Sequence, residues 1–268
     1  MTMPAITGAT RILGLIADPV VQARSPAMGN ALLERRGSFG DYVLVPMHVS
    51  SDGLADYVLA LRHLRNFAGA IVSMPHKAAI VELLDELTVE AQLVGAVNVV
   101  QRRADGSLLG TVLDGEGFVG GLRNAGHRVA GTHCLLAGAG GAASAVAFAL
   151  AKHGCASICL VNRSRAKAEA LGDRLRRAFP SVVVSDDAAS LARIDIAINA
   201  TSLGMKPDDA LPLTDAVIAR SALVAECVIA PEMTRLLETA QRRGCSIHTG
   251  VPMLEAQIGM MLAFMGAA

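Results

Sequence analysis

Lys77 and Asp114 are residue types that can carry a proton-transfer step, and both follow strand-like runs, although each alone would read as a surface charge. Lys77 closes the loop Ser73-Met74-Pro75-His76-Lys77, which follows the apolar run at residues 68–72. Asp114 comes just past a second apolar run, residues 108–113, and opens Asp114-Gly115. An ammonium group with a carboxylate to orient it and hold its charge can take the proton of a carbinol hydroxyl as hydride leaves the carbon. Such a step needs a hydride acceptor, and residues 135–143 offer a place for one. There an apolar strand runs into Gly138-Ala139-Gly140-Gly141-Ala142 and a helix opens behind it. In a dinucleotide turn the first glycine allows the tight bend, the second lets the pyrophosphate approach the backbone, and a small residue such as Ala143 lets helix and strand pack closely. The helix N-terminus then faces the diphosphate. His76, next to Lys77, is expected to be a surface or loop histidine and not the base.

The next strand, Ile158-Cys159-Leu160-Val161-Asn162, ends where an Asp or Glu would hold the ribose 2′-hydroxyl of NAD. This chain has Asn162-Arg163-Ser164-Arg165 there, with Lys167 close behind. Guanidinium and hydroxyl groups can hold a 2′-phosphate, which a carboxylate would repel. Cations at a helix start oppose the macrodipole, so the two arginines need another reason to be there. NADP is therefore expected over NAD. No histidine pair has metal-ligand spacing and no G-x-S-x-G elbow occurs, so neither a metal nor a nucleophilic serine is expected.

Alternating strand and helix patterns must position these residues, and they point to an α/β fold with mainly parallel sheets. In the first part, strands are expected at residues 11–17, 42–49 and 68–72. Helices are expected at 25–36, with Ser25 as N-cap and Pro26 behind it, at 53–65 and at 78–87. Residues 96–102 and 108–113 read as a hairpin around Asp105-Gly106. A second α/β run follows, with helices at 117–125, 142–153, 166–178 and 234–243. Its strands are expected at 132–137, 157–161, 181–184, 194–200, 222–227 and 246–249. A last helix, 253–264, is expected to pack back on the first domain. The expected division is thus residues 1–113 with 251–268, and residues 114–250.

Composition sets bounds on the partners. The chain has 268 residues, with 24 basic residues against 24 acidic ones, so there is no positive surplus for nucleic acid or an anionic membrane surface. Apolar residues make up 52%, enough for a large core, but aromatics only 3%, too few for base-stacking platforms. No run is apolar enough to span a membrane, and the start lacks the pattern of a secretory signal. The five cysteines are odd in number and irregularly spaced, so buried free thiols in a reducing cytoplasm are expected.

Taken together, these segments resemble the shikimate/quinate dehydrogenase family over essentially the whole chain. The segments are SPAMGNALL, SMPHK, GAVN, DGEGF, GAGGAA, NRS, INATSLGM, PEMTRLL and GVPMLEAQ, and their order matches the family throughout. The resemblance implies a two-domain α/β enzyme: a substrate domain completed by the last helix, and a Rossmann-type NADP domain. It implies reversible hydride transfer between 3-dehydroshikimate and shikimate, or a related alicyclic hydroxy acid such as quinate, by a monomer or homodimer. Lys77 would be the general acid/base with Asp114 its partner. Asn98 and Gln257 would bind substrate hydroxyls, and Ser25 and Ser73 would belong to the carboxylate pocket. Gly138, Ala139, Gly140, Gly141 and Ala142 would meet the pyrophosphate, and Asn162, Arg163, Ser164 and Lys167 the adenosine phosphate. Thr201, Met205, Val228, Gly250 and Met253 would lie toward the nicotinamide.

The chain departs from the family's pattern at the substrate end. Ala23 stands in place of a serine, Ile71 of an asparagine, Val112 and Leu113 of an Asn-Thr pair, and Ile229 of a tyrosine. Each lost partner of a buried polar group costs about 1–3 kcal/mol. These losses leave open a dehydrogenase for a less polar or aminated analogue. They also leave open a non-catalytic NADP- or metabolite-sensing protein on the same scaffold.

Overall fold

Residues 6–191 and 193–267 are described by a computed structural model, and they fall into two units. One unit runs up to Leu113 and resumes at Gln257; the other is Asp114–Ala256. The second division lies inside the last helix, whereas the sequence reading set it at residue 251.

The first unit opens with β1 (Arg11–Ala17), α1 (Ser25–Arg35), β2 (Tyr42–His48), α2 (Leu54–His63) and β3 (Phe67–Val72). A 3-10 turn (Ala79–Leu83) leads to β4 (Glu86–Leu87), α3 (Val89–Val94), β5 (Val99–Arg102) and β6 (Leu108–Thr111). The strands form one sheet in the order β2-β1-β3-β5-β6-β4. β1 lies parallel to β2 and β3, and β5 runs antiparallel to β3 and β6. Phe67-Ala-Gly-Ala-Ile-Val72 is buried at every position, as a central strand covered on both faces must be. Leu13, Leu15, Leu33, Leu44, Ile71 and Val99 form its core together with Ile258, Met261 and Leu262. At about 25 cal/mol per Å² of apolar surface removed from water, such packing is the main support of a core without tryptophan.

Two local expectations need correction here. Ser25 is the first residue of α1; the N-cap is Arg24, which makes no side-chain cap. The helix expected at residues 78–87 is instead the 3-10 turn followed by β4. Leu84 is extended, and Leu108 N–H donates to Asp85, which pulls the chain onto the sheet edge. α3, which the sequence reading lacked, starts because the Thr88 hydroxyl accepts from Ala91 N–H (3.3 Å). It stops at Gly95, whose φ of 67° is left-handed.

The second unit begins with α4 (Asp114–Asn124), β7 (His133–Ala137), α5 (Gly141–Lys152), β8 (Ser157–Val161), α6 (Arg165–Ala178) and β9 (Val183–Ser185). After a 3-10 turn (Ala188–Ser190) come β10 (Ile194–Asn199), α7 (Asp215–Ala219), β11 (Ser221–Glu226), α8 (Arg235–Arg242) and β12 (Ser246–His248). α9 (Val251–Phe264) follows. The sheet order is β12-β11-β10-β7-β8-β9, and every pair is parallel. This is a doubly wound Rossmann-type sheet whose order reverses between β10 and β7. α7 is too short for periodicity to reveal; Thr214 caps it. Close packing of α4 on α5 depends on Gly115, where a Cβ would lie 2.1 Å from the Ala145 carbonyl oxygen. No helix among the described residues is long and apolar enough to cross a membrane.

β12 carries an unusual buried base. His248 is buried, its Nε2 makes no hydrogen bond, and its ring meets Phe118 and His127 edge-on. Burial, with His127 adding to it, pushes His248 from 6.5 down to about 4. The unfolded chain therefore takes up a proton in this range that the folded chain refuses. Folding stability should fall as pH drops from about 6.5 and level off below about 4. Urea titrations at several pH values should show His248→Leu losing less stability over this window than the native chain, by up to about 3 kcal/mol. Parallel curves for the two proteins would refute the assignment.

Candidate functional site

In the first unit the C-terminal ends of β1 and β3 hold one cluster of polar residues. Ser73 N–H donates to Ile16 O (2.9 Å) and Asp18 N–H to Met74 O (3.0 Å), so the loop after β3 is tied along the end of β1. His76 is a loop histidine as expected, but it belongs to that anchorage and not to the surface. It is fully enclosed, with Nε2 2.7 Å from Val49 O. Enclosed and bonded to a backbone carbonyl, this histidine is structural although it stands beside a reactive-looking lysine. Lys77 itself is half-buried, and its carbonyl accepts from Val97 N–H (2.8 Å).

Asn98 links the Lys77 loop to the segment before Asp114. Its N–H donates to Thr111 O (3.0 Å), and its side-chain Oδ1 accepts from Leu113 N–H (2.8 Å). Its Nδ2 donates to Oε1 of Gln257 (3.3 Å), and both side chains are buried. The structure thus brings together Asn98, Gln257 and the backbone next to Lys77. Ser25, at the start of α1, and Ser73, just past β3, are both half-buried. The aliphatic replacements also have places: Ile71 and Val112 are buried, while Ala23 and Leu113 pack against the first core. Asp114 is the first residue of α4 and is 2% exposed.

In the second unit the sites expected for a dinucleotide lie past the ends of β7, β8, β10 and β11. Gly138 follows β7 with φ 120°, and a Cβ there would meet the Ala200 carbonyl at 2.8 Å. Gly140 is the N-cap of α5 and supplies no side-chain cap, and nothing lies within 4 Å of a Cβ built on it. The first N–H groups of α5, around Gly141 and Ala142, therefore lack a side-chain cap and lie beside open space. These residues fit a diphosphate.

Past β8, Asn162 Nδ2 donates to Ser164 O (2.9 Å) and shapes the turn. Arg163 and Lys167 are exposed, and neither has a carboxylate partner among the described residues. Arg165 does: Glu169 at 3.0 Å and Asp186 at 3.4 Å. A salt bridge is thus reason enough for the second arginine at this helix start. Past β10, Thr201 N–H and Oγ1 donate to Asn199 Oδ1 (3.0 and 2.7 Å), and Met205 follows in the same loop. Past β11, the Val228 carbonyl lies 2.2 Å from where a Gly250 Cβ would be, so the two backbones meet there, with Met253 buried beyond. The sequence reading missed Glu226, Asn199 and Thr234. The available signal was a carboxylate ending the otherwise apolar run of Ser221-Ala-Leu-Val-Ala-Glu226.

Comparison with known proteins agrees over both units. Residues 15–100 match the family model described as shikimate dehydrogenase substrate binding domain, and residues 122–206 that of shikimate / quinate 5-dehydrogenase. The shikimate dehydrogenase (NADP(+)) of Rubrobacter xylanophilus is 40% identical over 95% of this chain and 90% of its own. The crystal structure of shikimate 5-dehydrogenase from Listeria monocytogenes, in complex with shikimate and NAD, is 34% identical with a TM-score of 0.85. The match covers 98% of this chain and 94% of that one. The Thermus thermophilus enzyme, in complex with NADP(H) and shikimate, is 29% identical with a TM-score of 0.84, over 97% and 94% of the chains.

The two turn glycines should separate under substitution. Gly138→Ala meets backbone at a left-handed position and should destabilise the protein by about 1–3 kcal/mol, seen as a lower melting temperature. Gly140→Ala meets nothing in the protein and should change stability by no more than about 0.5 kcal/mol. Its added methyl enters the space in front of α5, so calorimetric titration should show weaker dinucleotide binding. Equal melting temperatures for the two variants would contradict this reading.

Proposed function

The chain belongs to the shikimate/quinate dehydrogenase family, and on that basis we propose that it catalyses NADP-dependent interconversion of 3-dehydroshikimate and shikimate. The observation that carries the reading is the full-length match to shikimate dehydrogenases (NADP(+)), with Lys77, Asp114, Asn98 and Gln257 all present. Bound NADP(H) supplies the hydride transfer at the carbinol carbon. In the reductive direction the Lys77 ammonium protonates the carbonyl oxygen as it gains negative charge; in the oxidative direction the neutral amine takes that proton back. The family resemblance gives Asp114 the role of partner to that ammonium. Asn98 and Gln257 hold ring hydroxyls, and the Ser25 and Ser73 hydroxyls donate to the carboxylate.

For the cofactor we assign the diphosphate to the Gly138–Ala142 turn and the 2′-phosphate to Arg163 and Lys167, with Asn162 and Ser164 shaping the turn. Thr201, Met205, Val228, Gly250 and Met253 border the nicotinamide end. In this reading the first unit is the substrate domain and the second the NADP domain. The substrate is a small molecule, and the reaction runs in the cytoplasm, where free thiols persist.

The absorbance of the reduced nicotinamide, followed with shikimate, quinate and analogues lacking one hydroxyl or the carboxylate, tests this directly. Shikimate should support NADP-linked turnover, and Lys77→Ala should lose about 10²–10⁴-fold in kcat. Turnover confined to the analogues, or normal turnover by Lys77→Ala, would overturn the reading. Arg163→Ala removes a charge-assisted hydrogen bond and should raise the KM for NADP about 10–100-fold, leaving that for NAD unchanged. Equal changes with both cofactors would remove Arg163 from the 2′-phosphate site.

A further inference from the structure

β11 ends in Glu226, a carboxylate with no exposure to solvent. A charge placed there is expensive, and burial pushes its carboxyl up to about 7 in spite of the hydrogen bonds it accepts. Its donors come from three separate segments. Asn199 Nδ2, at the end of β10, donates to Oε2 (2.8 Å). Thr234 Oγ1, at the N-cap of α8, donates to Oε1 (2.8 Å). Val228 N–H, just past β11, is the third.

Each donor passes the restraint on. Asn199 Nδ2 also donates to Leu203 O (2.8 Å), while its Oδ1 accepts from the Thr201 N–H and hydroxyl. Leu203 N–H in turn donates to Thr201 Oγ1 (3.0 Å). Gly204 has φ 102°, and a Cβ there would be 3.5 Å from Thr234 and 3.8 Å from Glu226 Oε1. The loop from Thr201 to Met205 is thus stitched down onto the Glu226 carboxylate. Val228, the third attachment, carries the carbonyl that Gly250 approaches.

We propose that Glu226 is a positioning residue for the cofactor: its buried carboxylate holds the Thr201–Met205 loop and Val228 in the arrangement that receives the nicotinamide end. The proposal rests on the assignment of these loops to NADP made above. Glu226 touches no reactant and acts through Asn199, Thr234 and the backbone. A carboxyl group suits this place because its two oxygens meet Asn199 Nδ2, Thr234 Oγ1 and Val228 N–H. A glutamine would offer one oxygen and turn an N–H₂ toward the hydroxyl or amide donors.

Steady-state kinetics separates this role from simple structural support. Glu226→Gln should raise the KM for NADP about tenfold while the KM for shikimate stays within about twofold. Thr234→Val removes the donor to Glu226 and the cap acceptor for Leu237 N–H at nearly constant volume, and should raise the KM for NADP by about threefold or more; Thr234→Ser keeps both and should restore it. If Glu226→Gln does not fold, the Thr234 pair decides. A lower melting temperature with an unchanged KM for NADP would overturn the proposal. So would equal rises in both KM values, or a Thr234→Ser variant no better than Thr234→Val. Native protein that fails to bind NADP by calorimetry would instead overturn the cofactor assignment, which separates the two failures.

Discussion

A strand inside a parallel sheet spends its N–H and C=O groups on its two neighbours, so it has no backbone polarity left for a ligand. Polar groups that meet a ligand must come from beyond the strand ends. At the carboxyl ends the helix N-termini gather as well, and their orphan N–H groups favour anions. Both units are organised by this constraint. In the first, β1 and β3 run out into the segments carrying Ser25 and Ser73 to Lys77. In the second, β7, β8, β10 and β11 run out into Gly138, Asn162, Thr201 and Val228. The residues with chemistry to perform are those the sheets could not absorb.

Loops released from a sheet need anchors, and here the anchors are buried polar side chains. His76 reaches Val49, Asn98 reaches Leu113 and Gln257, and Glu226 gathers Asn199, Thr234 and Val228. A single hydrogen bond of this kind contributes only about 1 kcal/mol net, but an unpaired partner left in the interior costs more. The networks are therefore cooperative: removing one member strands the others. The large aliphatic cores around them supply the burial that supports the fold.

The doubly wound second unit was legible because its signals are local. Residues 135–143 pair an apolar strand with a glycine turn, and the backbone path at 138, with φ 120°, favours glycine there. β1 and β8 have the expected bounds, and the helices before and after β8 end within one or two residues of them. Elements decided at a distance were less legible. The segment 78–87 has apolar residues at helical spacing, yet Asp85 binds Leu108 N–H across the sheet and makes an edge strand of its end. α3 and α7 are too short for a periodicity, so their threonine caps carry the signal.

Residue types and their order in the chain pointed to the α/β class, the dinucleotide turn, the cationic segment after β8, and Lys77 and Asp114 as separate candidates. The turn and the cationic segment are each held within a few consecutive residues. What only the tertiary structure decided is how each polar residue is used. His76 and Asn98 are both anchors, but His76 ties its loop to Val49 whereas Asn98 ties Leu113 to Gln257. Arg163 and Arg165 look equivalent, yet Glu169 and Asp186 take only Arg165. Glu226 reads as an ordinary strand end until Asn199 and Thr234, from other parts of the chain, converge on it. Hydrogen-bond partners of that kind are far apart in sequence, and only folding brings them within reach.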